Sequence, residues 1–312
     1  MELKHIKSFL RVLDLGSFSR AARSLNIAQP ALSQHVRILE DRLGIKLLKR
    51  SPRGVNATPA GQKFSIRARQ IVELTNQTQR EFSASSDTLY GEVKIGLPGS
   101  ICPIFVPELI VTAKKKYPDI KLIVSELMSG DLAGLLREGR LDLAVLFNVS
   151  ETDDYYAESL LSENLHLVGQ LNDPLLQSGS IEAKQLTQLP IASTRSPHGL
   201  RLVLDRWAND AGINLNVVYE MDTPYGLLTM ALEGHAYSIL SHAPIRNYIE
   251  HNLLSSVAIE NPPVQRKICL CESKRLMTDS PRQAIRDLMK TIMLNITENE
   301  AWQFDRITEK EF

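Results

Sequence analysis

A stretch near the N-terminus, residues 17–53, constrains this chain most, because two short helical patterns flank a turn there and a basic segment follows. In the second pattern apolar residues recur every three or four positions, which places them on one helix face. That face consists of Leu32, Val36, Leu39 and Leu43. Pro30 lies in the first turn, where a proline removes no helical hydrogen bond, and Gly44 follows as a helix-ending residue. The order predicts a helix-turn-helix unit.

The opposite face of the second helix carries side chains that can bond base edges or phosphates. They are Gln29, Ser33, Gln34 and Arg37. Residues 45–57 then predict a two-stranded basic wing, whose cations are Lys46, Lys49, Arg50 and Arg53. A helix fits the major groove, and a basic loop beside it usually contacts phosphate or the minor groove. A solvated charged face is the alternative, but element order, polar face and wing together favour DNA binding.

The string FSRAARSLNIAQPALSQHVRILEDRLGIKLLKR, followed by RGVNATPAG, resembles the LysR-type transcriptional regulators, which begin with a winged helix-turn-helix. The resemblance implies recognition-helix contacts at Gln29, Pro30, Ser33 and Gln34, and a wing contact at Arg53. Many family members carry Ser or Thr where this chain has Ala28, and such a residue caps the recognition helix. We expect Ala28 to weaken that cap without removing the groove contacts.

The net charge of zero hides an asymmetry along the 312 residues. The basic head, residues 1–64, holds twelve Lys/Arg against four Asp/Glu, whereas residues 65–90 hold three of each. The remaining residues hold twenty-one against twenty-nine, so the three parts carry +8, 0 and −8. Only the basic head is electrostatically suited to nucleic acid.

The N-terminus is amphipathic and lacks the continuous apolar run of a signal peptide. No stretch approaches the ~18 apolar residues of a membrane span. The three cysteines, Cys102, Cys269 and Cys271, show no zinc spacing, and their odd number argues against a secreted disulfide framework. We therefore predict a cytoplasmic protein without a membrane partner.

A long helix is predicted after the wing, because Thr58 is a capping residue and Pro59 suits the first turn. An apolar repeat with alternating steps of four and three residues follows, at Phe64, Ala68, Ile71, Thr75, Thr78 and Phe82. This face either packs on the chain's own body or pairs with a second copy. The family resemblance favours a dimer helix and implies a homotetramer built as a dimer of dimers, whose paired heads can read two half-sites.

From Gly91 onward short apolar strands alternate with helices, which predicts a parallel sheet with helices on both faces. The resemblance implies two α/β lobes like those of a periplasmic solute-binding protein, with crossings near Ser162 and Val264. The predicted domains are a winged helix-turn-helix (1–58), a linker helix (59–88) and an effector-binding domain (91–312). Lobe I contains about 91–162 and 265–312, and lobe II about 163–264.

Ligands of α/β sheets bind beyond the carboxyl ends of the strands. Polar residues in four such loops are candidate effector contacts, namely Ser100, Asn148, Thr194, Ser196 and Thr223. The loop before residue 101 leads into a helix whose N-terminus would attract an anion, and the set suits a small carboxylate. Each residue taken alone is more often a loop polar group or a helix cap than a ligand contact, but the resemblance implies a hydroxyl contact at the Ser100 position.

No catalytic constellation, metal spacing, phosphate loop or dinucleotide fingerprint is present, so we predict neither an enzyme nor a cofactor. Cys102 is either a redox sensor or, as we favour, a structural thiol. The predicted function is a sequence-specific, double-stranded DNA-binding transcription regulator controlled by a small-molecule effector, with RNA polymerase as a candidate partner. The alternative is a cytoplasmic α/β binding protein or enzyme with an accessory basic head. A sequence-indifferent DNA-packaging protein fits poorly with the acidic body.

Overall fold

A computed structural model of the chain describes residues 1–51, 54–83, 89–196, 198–276, 280–296 and 305–306. The chain divides into two units. The N-terminal unit contains Met1–Thr88 with the short segments Arg137–Arg140 and Lys274–Asp279, and the C-terminal unit contains the remainder. The predicted turn residues Pro52 and Arg53 lie outside the described part.

The N-terminal unit has the predicted winged helix-turn-helix order. Its elements are α1 (Leu3–Leu15), α2 (Phe18–Ser24), α3 (Gln29–Leu43), the antiparallel strands β1 (Leu48–Ser51) and β2 (Gly54–Ala57), and α4 (Pro59–Ser83). Leu32, Val36 and Leu39 of α3 are buried as predicted. Leu43 is 42% exposed, so its predicted burial is wrong. The helix ends at Gly44, whose left-handed backbone turns the chain away and leaves the last turn of α3 uncovered.

The predicted apolar repeat of α4 is buried in its first part and exposed further along the helix. Its first part packs on the N-terminal unit, where Ala68 is fully buried and the Phe64 and Phe9 rings meet edge to face at 5.3 Å. Further along, Ile71 and Leu74 are exposed. The side chain of Phe82 lies outside the described residues. The helical turn around Ala68 packs on the chain's own N-terminal unit, which was one of the two alternatives. The turns with Ile71 and Leu74 leave an apolar face that a second copy of the chain can cover.

The C-terminal unit contains helices on both sides of a mixed sheet. The helices are α5 (Cys102–Lys116), α6 (Ser129–Arg137), α7 (Gly199–Asp210), α8 (Pro224–Leu232), α9 (His242–Glu250) and α10 (Ser280–Ile296). The strands are β3 (Gly91–Leu97), β4 (Ile120–Glu126), β5 (Leu143–Phe147), β6 (Tyr155–Gln170), β7 (Ser180–Glu182), β8 (Ile191–Ser193), β9 (Val217–Glu220), β10 (Tyr237–Ser241), β11 (Leu254–Glu260), β12 (Gln265–Ser273) and β13 (Asp305–Arg306). Two short 3-10 helices, Pro174–Gln177 and Ala183–Gln188, complete it.

Two long antiparallel strands, β6 and β12, connect two parallel sheets in the order β4-β3-β5-β12-β6-β10-β8-β9. The parallel pairings of β3 with β4 and β5 belong to lobe I, and those of β8 with β9 and β10 belong to lobe II. The α/β class is confirmed, and the predicted parallel sheet is present in each lobe, but the sheet as a whole is mixed because antiparallel strands join the two lobes. A chain that crosses to a second lobe and returns must run in opposite directions at the two crossings, so β6 and β12 are antiparallel.

Each lobe has its own apolar core. In lobe I, β5 is buried along its whole length, as expected for a strand that is covered on both faces of the sheet. In lobe II, residues from β8, α7, α8 and β10 form a separate cluster. Among the described residues, no helix combines the length and apolar character that a membrane crossing needs.

Candidate functional site

The outer face of α3 and the wing line a groove of about 540 Å³ in the N-terminal unit. It brings together five predicted DNA contacts, namely Pro30, Ser33, Gln34, Arg37 and Arg50. Gln29, which directly precedes Pro30, is exposed outside the groove lining, and its amide oxygen accepts a hydrogen bond from the Ser19 hydroxyl at 2.8 Å. Arg53 lies outside the described residues. The groove therefore presents amide, hydroxyl and guanidinium groups from two elements to one surface.

A buried carboxylate, which the sequence did not identify, holds the wing against α3. Glu40 is 7% exposed and accepts hydrogen bonds from the backbone N–H groups of Leu47 at 2.9 Å and Leu48 at 3.1 Å. The Lys46 ammonium group lies 2.7 Å from its other oxygen. Burial opposes ionisation of Glu40, but these hydrogen bonds outweigh it and lower its pKa. One ionised side chain thus links α3 to the residues that lead into the wing.

The two arginines that line this surface, Arg37 and Arg50, have only weak partners. The Arg37 guanidinium is 3.7 Å from Asp41, and both side chains are exposed, so the pair costs little to break. Arg50 lies 4.7 Å from the centre of the Phe18 ring, a contact that orients it beside the groove. Ala28 occupies the N-cap of α3 without a side-chain hydrogen bond, as its sequence predicted. The first N–H groups of α3 are therefore not used by a capping side chain.

The C-terminal unit contains a cleft of about 480 Å³ between its lobes. Three predicted effector contacts line it, Ser100 from lobe I and Thr194 and Thr223 from lobe II. Two others do not. The amide oxygen of Asn148 instead accepts the backbone N–H of Lys267 at 2.6 Å and continues the β5–β12 pairing, while Ser196 is exposed outside the lining. A position just after a strand is thus insufficient to predict a ligand contact, because the side chain of such a loop residue can instead hydrogen-bond the backbone of the neighbouring strand.

A guanidinium group lies at the floor of the cleft, where the crossing strands meet. Arg266 is 3% exposed, and its Nε donates to Glu163 Oε1 at 2.5 Å, directly across from it in the β6–β12 ladder. Its Nη2 donates to the hydroxyls of Ser241 at 2.9 Å and Ser100 at 3.2 Å. The Phe147 ring centre lies 3.7 Å from its Cζ. One side chain therefore contacts both lobes and both crossings.

The sequence did contain a signal for Arg266 that was missed. Arg266 is in phase with Ile268 and Leu270, which occupy alternate positions of the same strand and are buried. A charged residue at an inward position of an apolar strand requires a buried partner. The identity of that partner could not be found locally, because Glu163 is more than a hundred residues away in sequence.

Two hydroxyls at the cleft have no hydrogen-bond partner among the described residues. Thr194 is 2% exposed, and the Oγ1 atom of Thr194 and the Oγ atom of Ser129 are both buried and unpaired. Both residues line the cleft, one from each lobe. Because buried polar groups are normally hydrogen-bonded, two unpaired hydroxyls beside the same cleft are unusual. Ser129 was not among the predicted contacts.

His198 is a neutral hydrogen-bonding group in the cleft lining. Its Nδ1 accepts the backbone N–H of Leu200 at 3.1 Å and caps α7. Burial and then the positive charge of Arg266 lower its pKa, although Asp222 opposes this. With Nδ1 used as an acceptor, the proton of the neutral ring resides on Nε2. His198 therefore offers an uncharged donor rather than a cation.

Cys102 has the environment of a structural thiol. Burial, followed by the charge of Glu126, raises its pKa to about 12. Since only the thiolate is nucleophilic, we expect alkylation of Cys102 by iodoacetamide at neutral pH to be at least ~100-fold slower than that of a free thiol. Mass spectrometry of the native chain against the urea-unfolded chain measures this ratio. Glu126→Gln should increase the native rate, and rapid labelling of the unaltered chain would restore the redox-sensor hypothesis.

Acid should destabilise the C-terminal unit, because burial lowers the pKa of three histidines, His166, His198 and His242. In the unfolded chain each binds a proton near its ordinary pKa of about 6.5, whereas the folded rings stay neutral to lower pH. Their stabilising contribution is therefore complete above about pH 6.5 and is lost as the pH falls below it. Urea unfolding should give a lower midpoint at about pH 5.5 than at about pH 7.5. Equal midpoints would contradict this account.

A DNA-reading winged unit followed by a two-lobed ligand-binding unit defines a transcription regulator with an effector-binding domain. Residues 3–62 match the helix-turn-helix model described as a bacterial regulatory protein of the lysR family, and residues 86–293 match the LysR substrate binding domain. The chain therefore belongs to the LysR family of transcriptional regulators, which confirms the resemblance noted in its sequence. Its relatives are regulators and not enzymes.

Similar proteins match between 70% and 94% of the chain. The nitrogen assimilation regulatory protein nac of Klebsiella aerogenes is 27% identical, covering 94% of this chain and 95% of that relative. The regulator AlsR of Bacillus subtilis is 30% identical over 70% of this chain and 74% of its own length. A full-length OxyR variant from Pseudomonas aeruginosa has a TM-score of 0.75 at 21% identity, covering 94% of both chains. Full-length CbnR in complex with its target DNA has a TM-score of 0.65 at 19% identity, covering 93% of this chain and 99% of CbnR.

Proposed function

We propose that this regulator binds specific DNA sequences and is controlled by a small carboxylate in the cleft between its lobes. The Arg266 guanidinium carries the ligand part of this proposal, since it is buried at the cleft floor and donates to a serine on each lobe. A carboxylate can take the place of those neutral hydroxyls and form stronger, charge-assisted hydrogen bonds with the guanidinium. Ser100, Thr194 and Thr223 then supply hydroxyls around the ligand.

The DNA part of the proposal assigns groove contacts to the polar face of α3 and to the wing. The residues are Gln29, Pro30, Ser33, Gln34, Arg37, Arg50 and Arg53. Support comes from the groove that collects five of them on one exposed surface of the N-terminal unit. Gln and Ser side chains can bond base edges in the major groove, whereas the arginines suit phosphate. We propose domain limits of 1–58, 59–88 and 91–312 for the DNA-binding, linker and effector-binding parts.

Control follows from differential binding. A ligand held by Arg266 and by hydroxyls of both lobes stabilises the lobe arrangement in which all of these contacts form, and it shifts the population toward that arrangement. Coupling to DNA requires that the two arrangements differ in DNA affinity. The exposed Ile71 and Leu74 of α4 support pairing of two chains, and a dimer of dimers is the proposed assembly. Action in the cytoplasm and contact with RNA polymerase stay predictions of the same hypothesis.

The decisive experiment measures binding of the full chain to the duplex upstream of its own gene, with excess unrelated duplex as competitor. Ser33→Ala and Gln34→Ala should each weaken specific binding by about 10- to 100-fold, the range expected for one base contact. Lys7→Ala is the matched control, since Lys7 is exposed on α1 and outside the groove lining. It should leave the selectivity intact.

Selective binding that Ser33→Ala and Gln34→Ala reduce, and Lys7→Ala does not, supports the assignment of α3. Equal affinity for both duplexes at moderate salt contradicts sequence-specific regulation and favours binding to phosphates alone. Loss of selectivity in the Lys7→Ala variant as well would contradict the placement of the contact surface.

A further inference from the structure

The charged side chains that line the cleft are not those expected of a binding site for a ligand that carries only a carboxylate. Glu126, Asp131 and Asp222 contribute three carboxylates, whereas the guanidinium of the lining, Arg266, already has Glu163 as its counterion. Asp222 pairs with Arg195 at 2.9 Å. Within the described part of the chain, neither of the other two carboxylates has a basic side chain within 4.0 Å. The cleft therefore carries excess negative charge opposite its one guanidinium.

Glu126 lies beside the loop that leads into the helix start where the sequence predicts an anion. Its Oε1 lies 2.5 Å from the point where a Cβ at residue 99 would be, so the carboxylate packs over the bare backbone of Gly99 just before α5. Its charge also contributes to the raised pKa of Cys102 at the first turn of that helix. A ligand anion at this helix start would face a carboxylate at close range. Glu126 therefore opposes the binding of an anion at the N-terminus of α5 alone, and the anion site predicted for that loop stays a prediction.

A ligand with two opposite charges suits this arrangement. Its carboxylate belongs at Arg266, and an ammonium group, which is a donor of three hydrogen bonds, belongs near Glu126 and Asp131. The unpaired hydroxyls of Thr194 and Ser129 are independent evidence that the cleft is built for a polar occupant. Leu127, Leu200 and Leu227 add apolar lining for a short carbon skeleton.

We propose that the effector is a small amino carboxylate, bound as a zwitterion with its carboxylate on Arg266 and its ammonium group on Glu126 and Asp131. This inference rests on the cleft of the proposed function and names the ligand class for it. The carboxylates of Glu126 and Asp131 repel a ligand that carries only a carboxylate. The same two charges attract an ammonium group that enters the cleft. Selection thus depends on the presence of both groups in one molecule.

The test uses the full chain and a defined panel of probes. The panel contains the protein amino acids and the ω-amino acids of similar size, each with its carboxylic acid lacking the amine and its amine lacking the carboxylate. Thermal shift screening followed by calorimetry gives the dissociation constants. At least one amino carboxylate should bind, and both of its truncated counterparts should bind at least ~10-fold more weakly, a difference of about 1.4 kcal/mol.

The variant Glu126→Gln should change the affinities for the two ligand classes in opposite directions. It should weaken binding of the amino carboxylate and strengthen binding of the carboxylic acid that lacks the amine. The removed charge attracts the ammonium group of the first ligand and repels the carboxylate of the second. Glu233→Gln is the matched control, since Glu233 is exposed at the end of α8 and outside the cleft lining. It should change neither constant.

Equal binding of an amino carboxylate and its truncated acid would overturn the zwitterion inference and leave the carboxylate cleft of the proposed function in place. Absence of binding by every amino carboxylate of the panel would overturn the inference as well. The proposed regulatory function is then judged by the DNA experiment, which needs no ligand.

Discussion

Arg266→Met is expected to reduce the free energy of unfolding of the C-terminal unit by about 3–5 kcal/mol. The substitution removes the guanidinium that pairs with Glu163, whose side chain is 1% exposed, and leaves this buried carboxylate between the crossing strands without that counterion. Most of this loss comes from keeping the Glu163 carboxylate buried without its guanidinium counterion, and not from the net attraction between the two groups. The double variant Glu163→Met with Arg266→Met should therefore recover most of the stability. Urea unfolding followed by circular dichroism measures both.

A surface pair provides the control for that prediction. Arg246 lies 2.6 Å from Glu250 on α9, and both side chains are at least one-third exposed. Arg246→Met should change stability by less than about 1 kcal/mol, because water solvates the remaining carboxylate. If the double variant at positions 163 and 266 were as unstable as the single one, packing rather than charge would explain the role of Arg266.

Gly61→Ala is expected to destabilise the N-terminal unit by about 2–3 kcal/mol and to weaken DNA binding with it. A Cβ at this position would overlap the backbone carbonyl oxygen of Leu47. That carbonyl cannot move freely, since it accepts the N–H of Thr58 at 2.9 Å just before α4 begins. Relief of the overlap must displace either α4 or the chain leading into β1. Either shift changes how the wing is held against α3.

Gly134→Ala in α6 is the matched helical control. No atom lies within 4 Å of a Cβ at that position, and alanine favours helix over glycine by roughly 1 kcal/mol, so this variant should be slightly stabilised. Urea unfolding and DNA titration of both variants are the measurements. A Gly61→Ala chain with unchanged stability and DNA affinity would show that α4 can separate from the wing without consequence.

The N-terminal unit was the most predictable part, because its signals are local. The inward positions of α3, the residue that ends this helix and the basic wing all lie within about thirty residues of sequence. Periodicity identifies the buried face of a helix irrespective of what covers it, as it did for Leu32, Val36 and Leu39. The exception, Leu43, lies in the last turn, where the direction of the following chain decides exposure. Glu40 was missed for a similar reason, since its partners belong to the wing.

The sequence by itself determined the class of the fold, the exposed polar face of α3 and the loops nearest to the cleft at Ser100, Thr194 and Thr223. Only the tertiary structure decided which polar residues share that cleft. It placed Arg266 opposite Glu163, brought Glu126 over Gly99 and used Asn148 to extend the sheet instead. The physical reason is that helix and strand periods are short-range properties of the chain. Pairings between distant strands depend on the closure of long loops and on the packing of a whole lobe.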